Sequence, residues 1–542
     1  MKMKTDNIFF ALIAALLLTA SCASEDATQT GEQKQEQKTG NYTVFVSGKE
    51  DTSTEQPKTR TSLNYDTGAF YWETGDNIFV KDDGGTWQTG SNVVNGTQQA
   101  RYRFQVPGAF ANTSYAVYYP GKNGTNDQVT ISTEQTQTAP ADTKHFGEAG
   151  DCGLGTATAV SDGFFFKLDH KAAYLIFQPY NTNAELEDCY ITQIEVTSNG
   201  TNIAGTYTIS STGLTEVSGS NKIKLTTKGT GSYANGFPLN NTAVKFSTNA
   251  AYMVIAPGTH ALTVTYTVKD YTTEVEGTIT RQLPAFNYEG NTYYDMTCNF
   301  NITNYTSQQY YRWGAKNHYW YGYEQYQPHN NGEQNNYYPG GPGVGNQMND
   351  RDYDHGSTGT PTSPARYDAK ADAFGGMQGI PNVNELCWYV MKGDPHWITD
   401  RIFAQGGHLV KLNGIWLKKK SAIVAYLKDQ EGYPATLTWE QMKEGYQASA
   451  TASITDFRVN RQSLTGTTST GNPSNLTDYF FLPAFGFYGW GKLSFLGSSG
   501  YFWSSSSDPQ IQGTAYSMFI SNANVGVANS DCSYGFWAQP FE

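Results

Sequence analysis

Charged residues are scarce in this sequence: Asp, Glu, Lys and Arg make up 16% of its 542 residues. Basic residues are the rarer kind, with 36 Lys and Arg against 49 Asp and Glu, so the formal net charge is -13. A protein that binds nucleic acid needs a basic surface to neutralise phosphates, and docking on anionic lipid needs a similar surface. The charge balance therefore argues against both of these functions.

Cysteine and catalytic motifs are scarce as well. The 6 cysteines are widely and irregularly spaced without a CxxC pair, which argues against a zinc site and against a disulfide scaffold. Neither HExxH nor GxSxG occurs, and the eight histidines do not cluster with the cysteines. Residues Gly486–Lys492 match GxxxxGK, but Leu493 stands where a phosphate loop needs Ser or Thr. We predict no enzyme activity, no cofactor and no metal ligand.

An acidic loop leaves one alternative open. Asp350, Asp352 and Asp354 alternate along a segment rich in Gly, Pro and Asn. Calcium favours several oxygen ligands from one flexible loop. The glycine spacing excludes an EF-hand, so either a structural calcium site or a solvated acidic turn remains.

Long apolar runs are missing too, apart from a short one near the start. The run Ile8–Leu18 follows Lys2 and Lys4, and at about 11 residues it is shorter than the roughly 20 that span a bilayer. Basic residues, a short apolar run and small residues describe a secretion signal. Cys22 directly follows Thr19–Ser21, which resembles the lipobox of bacterial lipoproteins. The resemblance implies acylation of Cys22 and an outer-membrane lipid anchor, with 1–22 as signal and 23–40 as a flexible tether.

Aromatic residues and short alternating segments dominate the rest. Phe, Trp and Tyr reach 14%, and apolar residues alternate with polar ones from Tyr42 onward, broken by Gly or Asn turns every 8 to 12 residues. This period predicts half-buried strands, and their spacing is typical of β-sandwiches. We predict a mainly β fold with sandwich domains at 41–162 and 163–301.

Several motifs in these two segments resemble one family. Arg60-Thr61, the pair Phe70 and Trp72, FKLDHKAAYLIF at 166–177 and AYMVIAPG at 251–258 are similar in order and spacing to the fimbrillin-like (Mfa-like) family. The resemblance implies two transthyretin-like sandwiches in a pilus subunit or surface lipoprotein. It also implies proteolytic maturation, for which Arg60 is the predicted site.

The composition changes after residue 301. Asn382 with Glu385, and Thr438 with Gln441, form capping-box patterns that predict two helices. IPNVNEL at 380–386, FLPAFG at 481–486 and the final YGFW resemble the major paralogous domain named for Fibrobacter succinogenes. This resemblance implies an α+β C-type-lectin-like domain over 302–542. It also implies a disulfide between Cys387 and Cys532, although two buried thiols remain an open alternative.

The exposed faces of Tyr and Trp stack well on sugar rings. The aromatic run at 305–340 lacks strand periodicity, which favours exposure of some rings. We predict Trp320, Tyr323 and Trp490 as ligand-binding residues.

Two functional hypotheses follow from these patterns and resemblances. The favoured one is a surface-exposed tip pilin or adhesin, which joins other pilin subunits by β-strand addition and presents a lectin-like domain to a glycan or a host or bacterial surface receptor. The alternative is a glycan-binding lipoprotein that stays anchored in the outer membrane and is not assembled into pili.

Overall fold

The computed structural model describes residues 42–47, 62–64, 69–92, 102–305, 310–315, 317–329, 379–511 and 513–542. The predicted lipidation site Cys22, the tether 23–40, the maturation site Arg60 and the acidic loop 350–354 lie outside this described part. Strands dominate it, which confirms the mainly β class. Within the described residues, no helix combines the length and apolar character needed to cross a membrane.

The described residues of the first third of the chain form mainly strands. In chain order they are β1 Tyr42–Ser47, β2 Ser62–Asn64, β3 Ala69–Tyr71, β4 Ile78–Lys81, β5 Trp87–Asn92, β6 Tyr102–Pro107, β7 Ser114–Tyr119, β8 Gln128–Ile131, β9 Glu134–Gln137, β10 Gly153–Val160, β11 Gly163–Phe166 and β12 Asp169–His170. A single helical turn, α1 Phe146–Ala149, precedes β10.

One eight-stranded sheet contains most of these strands, in the order β11-β1-β6-β5-β4-β7-β10-β12. Because β10 also pairs with β11, the sheet closes on itself around an aromatic core. Trp72 lies at the centre of that core, with its ring 5.1 Å from Phe104 and 5.4 Å from Tyr119. The inward-facing positions of the strands alternate, as the period of two predicts.

The middle third forms a second group of strands. They are β13 Ala173–Tyr180, β14 Cys189–Ser198, β15 Ala204–Ser210, β16 Gly213–Ser220, β17 Lys222–Thr227, β18 Phe237–Pro238, β19 Ala251–Ile255, β20 Gly258–Asp270, β21 Glu276–Tyr288 and β22 Thr292–Asn299. A helical turn, α2 Phe246–Asn249, lies before β19. A six-stranded sheet, β21-β20-β14-β17-β9, with β18 beside β14, packs with the three-stranded sheets β19-β13-β22 and β16-β15-β8 around one core.

Strands β8 and β9 pair with strands on the other side of the predicted domain boundary at 162/163. They precede it in the chain, yet β8 pairs with β15 and β9 pairs in parallel with β17. In the other direction, β11 follows the boundary and pairs with β1. The sheets of the two segments are therefore interleaved, and the predicted domain limits stay predictions.

The last third contains the remaining strands and the longer helices. The strands are β23 Tyr310–Tyr311, β24 His396–Gln405, β25 His408–Lys418, β26 Leu464–Thr467, β27 Ser469–Thr470, β28 Tyr479–Pro483, β29 Phe487–Gly489, β30 Lys492–Ser494, β31 Ser499–Ser507, β32 Thr514–Ser521, β33 Asn524–Asp531 and β34 Phe536–Trp537. The helices are α3 Val383–Lys392, α4 Lys420–Gln430 and α5 Trp439–Lys443.

Helices α3 and α5 confirm the two capping-box predictions. At α3, Glu385 N donates to Asn382 Oδ1 at 2.9 Å, and Asn382 N donates to Glu385 Oε2 at 2.9 Å. The same reciprocal pair joins Thr438 and Gln441 at α5. The two helices also contact each other, because Trp439 Nε1 donates to Glu385 Oε1 at 2.7 Å. Helix α3 is buried on nearly all sides against β32 and β33.

A buried carboxylate joins the middle and last thirds. Asp270 is fully buried at the end of β20, and its Oδ2 accepts from Leu409 N of β25 at 2.8 Å. Thr272 N and Thr273 N donate to its other oxygen. Burial raises the pKa of Asp270, but the backbone hydrogen bonds from Thr273 and Leu409 outweigh it and hold the pKa below its usual value. The hairpin of β24 and β25 is therefore fixed against the middle sheets.

Candidate functional site

Strand β1, the first of the described strands, is hydrogen-bonded on both sides. It runs antiparallel to β6, from Tyr42 opposite Pro107 to Ser47 opposite Tyr102. On its other side it runs parallel to β11, with Phe45 opposite Phe164. An edge strand pairs on one side only, so the loss of β1 would leave β6 and β11 facing each other across a gap. We call this gap the β1 groove.

Phe45 anchors β1 in that groove. Its ring is fully buried and stacks on Phe164 with 4.9 Å between centroids, while Phe110 contacts it edge-on at 5.2 Å. Tyr42, at the other end of the strand, is 52% exposed. Gly163 fits closely under the strand, since a Cβ on it would lie 2.2 Å from Val44 O. Strand β1 therefore fills the groove with one aromatic ring, Phe45, at a defined position.

The three predicted ligand residues meet around one hairpin, formed by β29 and β30. Trp320 is 1% exposed beneath it, with its ring 5.8 Å from Tyr488. This burial corrects the prediction for Trp320, whose ring supports the hairpin and has no face open to a ligand. Tyr323 is half-buried beside the same cluster. Trp490, at the apex, is 63% exposed.

Two neighbouring aromatic residues escaped the sequence prediction. Phe495 is 50% exposed, and Tyr534 touches Trp490 edge-on at 5.4 Å. Their aromatic character alone did not distinguish them from core residues. For Phe495 the signal was the high density of glycine in segment 486–500, which is typical of tight turns that expose side chains; Tyr534 had no such signal.

The predicted disulfide is not formed. Cys387 and Cys532 are buried and do not bond to each other; Cys387 packs with α3 and its neighbours, whereas Cys532 lies in a separate cluster with Trp313 and Trp503. In the structure, Cys387 and Cys532 are therefore two buried thiols, the alternative to the predicted disulfide. Burial raises the pKa of Cys387 well above its usual value, which keeps that thiol unreactive.

One polar cleft contains groups that can carry chemistry. It has a volume of about 570 Å³ and is lined partly by His170, Lys171 and Glu289. The His170 ring is buried, with Nδ1 2.8 Å from Asp151 Oδ1, and the Tyr174 hydroxyl donates to the same oxygen at 2.5 Å. The side chains of His170, Asp151 and Tyr174 are closed off from solvent, so their hydrogen bonds stabilise the interior of the sheets and do not face the cleft. Among the described residues, no group of three or more His, Cys, Asp or Glu is placed to hold a metal ion.

Comparisons with known proteins give a mixed result. No family model and no curated protein matches the sequence. The structure is similar to that of a candidate cell adhesion protein from Bacteroides ovatus, with 14% identity and a TM-score of 0.28 over 48% of this chain and 93% of that one. It is also similar to the fimbrial anchor protein Mfa2 from Porphyromonas gingivalis, with 11% identity and a TM-score of 0.22 over 45% and 82%. A fimbrial protein from Bacteroides ovatus matches over 92% of this chain and 99% of that one, with 9% identity and a TM-score of 0.23.

Proposed function

We propose that this chain is a cell-surface adhesin subunit of a fimbrial system, which accepts a strand from a neighbouring pilin in place of β1. The observation that carries the proposal is the position of β1 between β6 and β11, inside a sheet that closes on itself. Removal of this strand opens the β1 groove along its whole length. Addition of an extended segment to exposed strand edges is an established mode of protein assembly.

The predicted cut at Arg60 would remove the covalent link between β1 and the rest of the sheet. Arg60 follows β1 in the sequence, so cleavage there separates residues 42–47 from the rest of the sheet. Only noncovalent contacts, chiefly those of Phe45 and the backbone ladder, then hold the strand. The same cut releases the subunit from a lipid on Cys22, which takes it from the outer membrane to the pilus.

The C-terminal segment is fastened in its own sheet, which favours a subunit that accepts a strand at the fimbrium tip. Strand β34 pairs with both β23 and β31. The Glu542 carboxylate accepts from the Tyr389 hydroxyl at 2.7 Å and from Lys420 N at 2.8 Å. Strand β34 and Glu542 thus make their contacts within the subunit.

The mature N-terminus tests this proposal. Surface protein from cells would be analysed by mass spectrometry for the wild type, for Arg60→Gln and for Lys228→Gln, a control at an exposed basic residue just after β17 and away from the β1 groove. We expect wild type and control to begin at Thr61 and to co-purify with other pilins, and Arg60→Gln to do neither. A wild-type protein that keeps an acylated Cys22 and remains unassembled would contradict the proposal and favour the permanently anchored lipoprotein.

A further inference from the structure

Two bulky aromatic residues near the C-terminus have a left-handed backbone. Trp490 has φ +50° and Phe495 has φ +62°. The other described non-glycine residues with positive φ are Asn, Asp, Glu or Ala, so these two are the only rings in that set. A bulky residue in this region of backbone space is an outlier that the surrounding structure must impose, and such residues cluster at functional sites.

Trp490 stands where a hairpin turn prefers asparagine. The turn joins Gly489 to Lys492, with Trp490 and Gly491 at its centre and φ +50° and +74°. Two central residues with positive φ define the turn type in which Asn-Gly is the favoured pair. The tryptophan at the first position therefore opposes the local preference, and it lies at the apex with 63% of its surface exposed. Neither turn geometry nor core packing accounts for its presence.

Phe495 lies on a second turn that is fixed to the first. Ser498 N and Ser499 N both donate to Phe495 O, at 3.0 and 2.9 Å. Gly486, just before the first turn, packs closely on the second, since a Cβ on it would lie 2.1 Å from Ser494 O and 2.7 Å from Leu496 N. The exposed rings are thus held by hydrogen-bonded backbone and are ordered before any ligand arrives, which reduces the entropy cost of binding.

Four rings form a continuous series, which we call the aromatic row. Trp490 contacts Tyr534 at 5.4 Å, Tyr534 contacts Phe487 at 5.2 Å, and Phe487 stacks on Phe495 at 6.0 Å. The outer two members are exposed and the inner two are half-buried. The inner rings support the outer ones and set the distance between them.

Polar groups border the aromatic row. Lys492 is exposed directly after the Trp490 turn. Asp531 is exposed at the turn that carries Tyr534, and its Oδ1 accepts from Ser533 N at 2.8 Å. A lysine two residues after Trp490 and a carboxylate three residues before Tyr534 supply donors and acceptors for a ligand that has an apolar face and hydroxyl edges.

We infer that the aromatic row is a binding site for neutral carbohydrate, in which Trp490 and Phe495 stack on pyranose faces while Lys492 and Asp531 bind hydroxyls. The inference rests on the proposed adhesin role and names the class of its ligand. A fully buried aromatic side chain contributes about 150–250 Å², so the two partly exposed rings offer on the order of 200 Å². That area suits one or two sugar rings and is far below the roughly 800 Å² that a stable protein partner covers.

Sugar binding by the intact chain tests the inference. The probes are methyl β-galactopyranoside, methyl β-glucopyranoside and an array of neutral oligosaccharides, with sorbitol as a polyol that lacks a ring face. Saturation-transfer NMR reports contact, and titration reports the apparent Kd. Trp490→Asn is the central variant, because Asn-Gly suits this turn. We expect at least about tenfold weaker binding with an unchanged or higher Tm. Tyr426→Gln removes an exposed ring on α4 and is expected to bind as the wild type does.

The possible outcomes separate this inference from the proposed assembly. Binding of the pyranosides but not sorbitol, lost in Trp490→Asn and kept in Tyr426→Gln, supports a carbohydrate site even if Arg60 is never cut. Absence of sugar binding by the wild type, or retention of full affinity by a folded Trp490→Asn variant, overturns the site and leaves strand exchange at the β1 groove unaffected. Equal losses in both variants would also overturn it, since the effect would then not be specific to the aromatic row.

Discussion

Phe45→Ala should loosen β1 more than any other single truncation in that strand. The side chain is fully buried and has two aromatic neighbours, Phe164 stacked on one face and Phe110 at its edge. The perturbation therefore acts directly on the contact that keeps the strand in its groove.

The expected magnitude follows from the burial. Truncation of a buried Phe to Ala costs about 3–5 kcal/mol, as lost transfer energy plus the cavity left behind. If that cost falls on local release of β1, each 1.4 kcal/mol is a tenfold change in the opening equilibrium. The population with an open β1 groove should then rise by a factor of about 10² to 4 × 10³. Tyr42→Ala, at the exposed end of the strand, should change it by less than about threefold.

Hydrogen exchange can measure this opening without unfolding the whole chain. The backbone amides of β6 and β11 that pair with β1 are protected only while β1 is in place. We expect these amides to exchange faster in Phe45→Ala than in the wild type. The exchange rates of the β32 and β33 amides in the last third should not change. A synthetic peptide with the sequence of 42–47 should restore protection in a chain cut after Arg60.

The result that would refute this reasoning is specific. If amides of β6 and β11 exchange equally in Phe45→Ala and Tyr42→Ala, the strand is not held by its aromatic anchor. If amide exchange accelerates equally in all strands of the closed sheet, β1 does not open as a separate unit. The β1 groove would then become accessible only when the whole sheet unfolds.

Three further predictions concern other parts of the chain. Asn382→Ala removes the α3 cap and should lower the free energy of unfolding by about 1 kcal/mol or more in thermal melts. Asn382→Ser keeps a capping oxygen but loses the bond from Asn382 Nδ2 to Lys443 O, so it should lower the free energy of unfolding by less. Burial lowers the pKa of His145 from 6.5 to about 4. The unfolded chain therefore binds the proton first, and stability in urea should fall from pH 6.5 towards 4, but not in His145→Gln. The pKa of Asp270 is also lowered, so contacts between β20 and β25 should weaken in acid below about pH 4; Asp270→Asn should weaken them at neutral pH, measured by exchange of the Leu409 amide.

Local patterns in the sequence predicted many of the strands and two of the longer helices. The alternation that begins at Tyr42 is β1, and the capping pairs begin α3 and α5 where they were expected. Helix α4 was missed because Lys419 at its N-cap forms no side-chain cap, and only Ile423 and Leu427 are buried along it. A signal for the β24–β25 hairpin was present but not used, namely Gly406-Gly407 between alternating segments.

Which strands become neighbours was decided by the tertiary structure. Nothing in segment 128–137 indicates that β8 and β9 complete the sheets of the segment that follows. The unformed pairing of Cys387 with Cys532 has a related cause, since the two residues lie in separate hydrophobic clusters. Sequence patterns report which face of a strand is apolar, but pairing depends on contacts between residues far apart in the chain.

The sequence alone determined that this protein is mainly β, acidic and rich in aromatic side chains. Only the tertiary structure decided which of those side chains are available to a ligand. Trp320 and Trp490 have similar neighbours rich in Gly and Tyr, yet one is 1% and the other 63% exposed. The physical reason is that burial is set by what packs on a ring: Tyr488, far along the chain, covers Trp320, while the turn that follows Tyr488 lifts Trp490 into solvent.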